Sequence, residues 1–343
     1  MMLLRVLRVL LLCLSVGPLL DAQENVPIIS GGAGFLGSTQ GGVNVFQPVL
    51  APVIAVPFGE RWLVETRADL REVISRKNGT TGPYQGQFFG TLEYLQLDFL
   101  VDSHLTITAG RFLTPFGIFN ERLAPIWIDK FQDAPYVAAI GTGQGYSNGV
   151  MMRGPVISNN GYVLNYEAYL SALSTIEHLR SERGTGGRVG LFLPRARLEL
   201  GASYRRTLQG RNTSSEGVDL SWEPYGISLE MKGEWAHSIS GNGYWIQASY
   251  RLAQFSGADS PLGRLELVFR MQQFSRQELV SGDSLPSSNA TLPEFGLNYY
   301  LPREVRLNAS YGREYFAHST DRNVWEFGIT HRFLFPMWPG ARR

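Results

Sequence analysis

Five arginines, Arg205, Arg251, Arg264, Arg270 and Arg306, sit at alternating positions on the same side of their segments as Glu199 and Glu266. Guanidinium groups that share one face and look into water raise the local concentration of anions and hold them transiently. The acids work against this. Pairing with Glu199, Glu230, Glu234 and Glu266 in a solvated network would leave the arginines selecting nothing, so any anion preference is expected to be weak. A second set, Arg111, Glu121, Arg122, Asp129, Lys130 and Asp133, flanks or occupies a stretch where the alternation stops. If that stretch narrows a wet passage, its charges outweigh those of a wide wall, because fields grow where water is scarce. If it projects outward, they are ordinary loop charges.

Other chemistry has little support. His104, His178, His237, His318 and His331 are scattered without ligand spacing. Asp102-Ser103-His104 reads as a compact turn and not as a serine nucleophile between glycines. No carboxylate pair stands out for glycoside hydrolysis. Neither cofactor nor metal is expected. The triplets at Asn78, Asn212 and Asn289 that fit a glycosylation acceptor signify polar loops.

The elements that must position these residues are strands. From Val324 to Phe335, Trp325, Phe327, Ile329, Phe333 and Phe335 share one parity, while Glu326, Gly328, Thr330 and Arg332 share the other. His331 interrupts the oily face. Similar alternation runs through Leu198 to Arg205, Tyr244 to Leu252, Arg264 to Met271 and Val305 to Gly312. Many such strands with arginine and glutamate on the inner side require a wet interior, and an oily outer side requires lipid.

The chain begins with Arg5 and Arg8, the apolar run Val9 to Val16 and Ala22, which reads as a bacterial secretory signal over residues 1–22. The one cysteine, Cys13, lies in that run, so no disulfide or thiolate site is expected in the mature chain. No later apolar run is long enough for a membrane helix, so any crossing must be made by strands. With 31 basic and 30 acidic residues the charge is nearly balanced, and nothing points to nucleic acid. The 38 glycines suit tight turns and crowded walls, and the 19 phenylalanines, 15 tyrosines and 7 tryptophans suit aromatic girdles at two lipid boundaries.

The expected fold is all-β: a transmembrane antiparallel β-barrel over residues 43–335 in a bacterial outer membrane. About fifteen strands are legible, and roughly twenty residues per strand and turn point to sixteen, with fourteen as the alternative. The missing strand belongs in Ile28 to Gly42 or between Phe131 and Gly149. Residues 23–42 are a leader, a turn region or part of the first strand, and 336–343 form a short basic tail. Residues 114–148 are expected to fold inward as a constriction, with a short helix around Ile128 to Asp133.

The stretch Gly110-Arg-Phe-Leu-Thr-Pro-Phe-Gly-Ile-Phe-Asn-Glu121 resembles the glycine-x-phenylalanine-x-x-proline-phenylalanine sequence after an early strand in the phosphate-selective porin family. That resemblance implies a sixteen-stranded outer-membrane barrel, commonly trimeric, passing small anions through a narrowed lumen. The family's basic ladder is missing, so phosphate specificity does not carry over. The expected activity is passive diffusion of small hydrophilic solutes or ions, with lipid and a homotrimer as partners. An outer-membrane hydrolase and a plugged structural or adhesive barrel are the rivals.

Overall fold

The computed structural model describes residues 26–142, 145–176, 179–280 and 282–336. The expected signal over residues 1–22 and the tail beyond 336 lie outside the described residues.

Alternation produces strands almost everywhere the sequence shows it. β1 covers Ile28–Gln40, β2 Val43–Phe58, β3 Trp62–Asn78 and β4 Thr81–Asp102. β5 covers Leu105–Leu113, β6 Tyr146–Ser158, β7 Val163–Ser171 and β8 Gly184–Leu193. β9 covers Leu198–Thr207, β10 Ser214–Trp222, β11 Leu229–Ser238 and β12 Gly241–Arg251. β13 covers Leu265–Arg276, β14 Ala290–Leu301, β15 Val305–Phe316 and β16 Arg322–Pro336. Each strand pairs antiparallel with its neighbours in sequence, and β1 closes on β16 from Ile28 opposite Pro336 to Gln40 opposite Val324. The result is a closed sixteen-stranded barrel with no free edge.

β1 is the strand that the alternation left unplaced. Its faces are blurred by Gly31, Gly32, Gly34 and Gly37, and it is joined to β2 by Gly41 and Gly42, whose φ values of 56° and 84° suit the tight hairpin turn. Between Phe131 and Gly149 the only strand residues described belong to the start of β6.

Alternate connections fall on opposite rims. The rim where β1 begins and β16 ends has mostly short links, including residues 59–61, 103–104, 194–197 and 302–304, with one longer link at 252–264. The opposite rim carries the long segments 114–145, 172–183 and 277–289. On that rim β3 and β4 outrun their neighbours, and all ten residues from Thr81 to Gly90 are exposed on both faces, so this hairpin tip stands clear of the wall.

The outer surface is apolar. Leu170 is 65% exposed, Phe295 62% and Trp325 55%, and Val189, Val218, Ile246, Leu267 and Ile329 share that face. Each such side chain left in water forgoes about 1.5–3 kcal/mol, so the whole belt requires hydrocarbon around it. Aromatic pairs mark both rims: Trp62 and Phe99 at 4.3 Å between ring centroids, Tyr311 and Trp325 at 4.4 Å. The barrel is a transmembrane one.

A second apolar core lies inside the lumen. Phe116, Ile118, Phe119, Leu123, Val137 and Ile140 pack against Ala236, Trp245 and Phe274, all from strand positions that face inward. The tryptophan on the otherwise polar face of β12 is thus not an exception to the pattern. It is where the segment 114–145 docks.

Candidate pore constriction

The segment between β5 and β6 enters the barrel through a turn built on its proline-phenylalanine-glycine run. Gly117 adopts φ 65°, and its N–H donates to Ser203 Oγ of β9 at 3.0 Å. A Cβ at this position would stand 2.3 Å from Glu234 Oε1, so only glycine admits the carboxylate. Glu234 of β11 accepts hydrogen bonds from the backbone N–H groups of Ile118 and Phe119, the latter at 2.7 Å, and from Trp245 Nε1 at 3.0 Å. Gly117→Ala is expected to displace this carboxylate and to strain the backbone by about 1–2 kcal/mol. Proteolysis of the folded barrel checks this: faster cleavage within 114–145 is expected, and a wild-type rate would refute it.

At its base the segment is cinched by Asn120, whose Nδ2 donates to Thr114 O at 3.0 Å and to Gly145 O at 2.6 Å. Thr114 and Ser147 hydroxyls meet at 2.9 Å. A π-helical turn covers Phe119–Leu123 and a 3-10 turn Tyr136–Ala139. The expected short helix at Ile128 to Asp133 is absent. These residues form irregular turns, because their backbone groups and side chains are held by the wall instead.

That wall is one side of the barrel. Arg122 Nη1 donates to Glu199 Oε2 of β9 at 2.7 Å, and Lys130 Nζ meets Glu266 at 2.8 Å and Glu230 at 3.7 Å. Tyr136 N–H donates to Gln272 Oε1 at 2.9 Å, and its hydroxyl bonds Glu314. Arg306 Nη2 donates to Ile126 O at 2.7 Å, Gln132 N–H to Glu326 Oε2 at 3.3 Å, and Gln40 Nε2 to Asp133 Oδ2 at 2.9 Å. Trp127 lies over Gly32, where a Cβ would come within 2.4 Å of the indole. The segment therefore leans on β9 and β11 to β16 and on β1. Burial acts on its ionisable groups accordingly. Asp129 is pushed up to about 6 by desolvation, against the pull of Arg270. Burial alone would lower Lys130, but Glu266, Tyr300 and Glu230 outweigh it and raise the ammonium above its ordinary range.

The residues singled out in the sequence are divided by this arrangement. Arg270, Arg306, Glu266 and Arg205 do face inward, but each is at most 9% exposed. Arg270 pairs with Glu294 at 2.7 Å and lies 4.5 Å from the centre of the Phe131 ring, so the loop covers it. Arg205 pairs with Glu182 near the long-loop rim. Glu199 is shared by Arg122 and Arg188. Arg251 ends β12 at the other rim, where it bonds Gly263 O and stacks on Tyr300, and Arg264 lies in the 252–264 connection rather than on a strand. Arg111 shares the outward parity of Leu95, its partner in register. It bonds Leu92 O, Arg180 O and Asn148, and stacks 3.6 Å from the centre of the Tyr146 ring. It braces the rim and does not face the lumen.

Opposite the docked side, a cavity of about 250 Å³ separates the loop from the wall. Glu65 of β3, Tyr94 and Gln96 of β4, and Arg153 and Glu167 of β6 and β7 line it, facing Glu121 and Arg122 of the loop. Glu121 is raised well above the usual carboxylate range, first by desolvation and then by Glu167 beside it. Next to this cavity a β-bulge between Arg67 and Ala68 lets β4 present both Glu93 and Tyr94 to Arg67, which ion-pairs with the first and lies 5.3 Å from the ring centre of the second. Sequence reading passed over these wall residues, although Glu65, Arg67, Asp69 and Arg71 alternate strictly and form the signal that could have found them.

No family model matches the sequence, and no curated protein matches it. Solved structures do. Salmonella typhi OmpF, in complex with daunomycin, is 12% identical with a TM-score of 0.63, over 90% of this chain and 97% of that one. OmpT, an outer membrane protein of Vibrio cholerae with loop L8 deleted, is 8% identical with a TM-score of 0.60, over 90% and 100%. The anion-selective porin from Comamonas acidovorans is 13% identical with a TM-score of 0.55, over 90% and 98%. These likenesses extend over outer-membrane porins in general and do not single out the phosphate-selective family. The chain has the closed-barrel fold of the bacterial outer-membrane porins.

Proposed function

We propose that this barrel is a porin of the bacterial outer membrane, a water-filled channel for passive diffusion of small hydrophilic solutes, narrowed by residues 114–145. The observation that carries the reading is the one-sided docking of that segment: it is fastened to β9 and β11 to β16, yet leaves a polar cavity against β3, β4, β6 and β7. A plug would be expected to bond the wall all round. Arg270 of β13 and Arg306 of β15 act in this reading as fastenings, and the residues that meet the solute are Glu65, Tyr94, Gln96, Arg153, Glu167, Glu121 and Arg122. A homotrimer, and the phosphate-selective branch suggested by Gly110 to Glu121, remain finer readings that rest on the motif alone.

Single-channel recording of the refolded protein in planar bilayers tests the proposal. Open, ohmic steps are the expected result. Silence from protein that migrates as a folded barrel on unheated gels would replace the channel with a plugged barrel.

A further inference from the structure

The charge preference of the channel can be read from which lumenal charges are already matched. Most are. Arg67 pairs with Glu93, Arg71 with Asp69, Arg188 with Asp219 and Glu199, and Arg270 with Glu294. Lys130 and Lys232 share Glu230 and Glu266, and Arg322 pairs with Glu314. The two arginines that reach the cavity are taken as well: Arg122 by Glu199 at 2.7 Å and Arg153 by Asp98 at 3.3 Å.

Three carboxylates at the cavity have no ion pair of their own among the described residues. Glu65 accepts a hydrogen bond from the amide of Gln96 at 3.3 Å and has Asp98 and Arg153 nearby without an ion pair to the latter. Glu121 stands against Glu167; Arg153 and Arg122 are near it, but their ion pairs go to Asp98 and Glu199. Glu167 is opposite Arg153 in the β6 to β7 register, but that guanidinium turns to Asp98, and Glu167 Oε2 is buried without a hydrogen-bond partner. The three acids come from three separate elements, β3, β7 and the loop, onto one opening. Tyr94 adds the π-face of a ring to the same wall.

We infer that the channel favours cations, and that Glu65, Glu121 and Glu167 are the residues that determine this preference. The inference rests on the channel reading above. Matched pairs cancel at a distance of a few ångströms, whereas unmatched carboxylates at a narrow, low-dielectric opening set the sign of the field that a passing ion meets. The solute class is small hydrated cations and ammonium compounds, and the weak anion preference expected from the arginines gives way to the opposite sign.

The preference also depends on pH. Around Glu121 stand Glu167 of β7, Arg153 of β6, Glu65 of β3, Tyr94 of β4 and its neighbour Arg122. Burial and Glu167 raise the Glu121 carboxyl, so its charge is absent at low pH and appears as pH rises through its elevated value. Cation preference therefore grows with pH.

The test is the zero-current potential of the refolded full-length barrel in a KCl gradient, at pH 5, 7 and 9. A lumenal potential of about one kT enriches cations over anions roughly sevenfold, so a K⁺ to Cl⁻ permeability ratio of several-fold is expected at pH 9, declining towards pH 5. In the triple variant Glu65→Gln, Glu121→Gln, Glu167→Gln the ratio should fall to one or below. Open channels whose wild-type potential has the anion sign overturn the inference without variants and leave the channel reading intact. So does a folded triple variant with an unchanged ratio. Folded wild-type protein that never opens overturns the channel reading, and the inference with it.

Discussion

Glu234→Ala is expected to unfasten the loop from the wall, giving a channel with larger and noisier conductance than wild type. The carboxylate holds three donors at once: two backbone N–H groups at the start of the π-helical turn and the indole of Trp245, all buried. Removing it leaves those donors unmatched in a place that water reaches poorly, at about 1–3 kcal/mol for each. The losses are not additive, because the loop can move to rehydrate its groups, and that movement is the phenotype. Trp245 and Phe274 would then lose part of their apolar cover from Phe116, Ile118 and Phe119. Glu234→Gln provides the comparison. Its amide oxygen can still accept from Ile118 and Phe119 while its NH₂ group faces the indole donor, so the defect should be milder. Single-channel recording separates these cases. Alanine variant channels of wild-type size and quietness, from protein that folds, would show that Glu234 does not hold the loop.

Arg270→Ala is expected to be the most destabilising single change in the wall. Arg270 and Glu294 are 0% and 2% exposed at their side chains and meet at 2.7 Å, with Gln272 Nε2 on the same carboxylate oxygen at 2.8 Å. Breaking a buried pair by removing one partner costs about 3–5 kcal/mol, since the remaining charge has lost its counterpart. The Phe131 ring above the guanidinium would lose its cation as well. Replacing both members with apolar groups, as in Arg270→Met with Glu294→Leu, should recover much of the loss, because no uncompensated charge is left. Urea unfolding in lipid vesicles reads this directly. A single variant with the wild-type midpoint would mean that water, rather than Glu294, satisfies the arginine.

Both experiments concern residues whose side of the strand was legible and whose surroundings were not. Arg270 stands on the polar parity of β13 and Glu234 on that of β11, and a period of two is enough to assign an inner face. It says nothing of what lies across the lumen. Arg270 therefore reads as a solvated wall charge in the sequence and proves to be covered by Phe131, while Trp245, on the otherwise polar face of β12, proves to be part of the docking surface. β1 shows the converse. Its Gly32 leaves room for Trp127 of the loop, so the contacts of the folded barrel erase the contrast between faces by which a strand is recognised.

By itself the sequence determined that the chain is made of strands with oily and polar sides, that these number enough to close, and that one long segment after β5 interrupts them. These properties are local: alternation is set residue by residue by the geometry of an extended backbone and by the solvents on its two sides. Only the tertiary structure decided which wall the segment leans on, which charges thereby cancel, and that Glu65, Glu121 and Glu167 are left facing one opening. Those outcomes depend on pairings between residues far apart in the chain, such as Lys130 with Glu266 and Ile118 with Glu234, and such pairings exist only once the barrel has closed and brought its inner faces together.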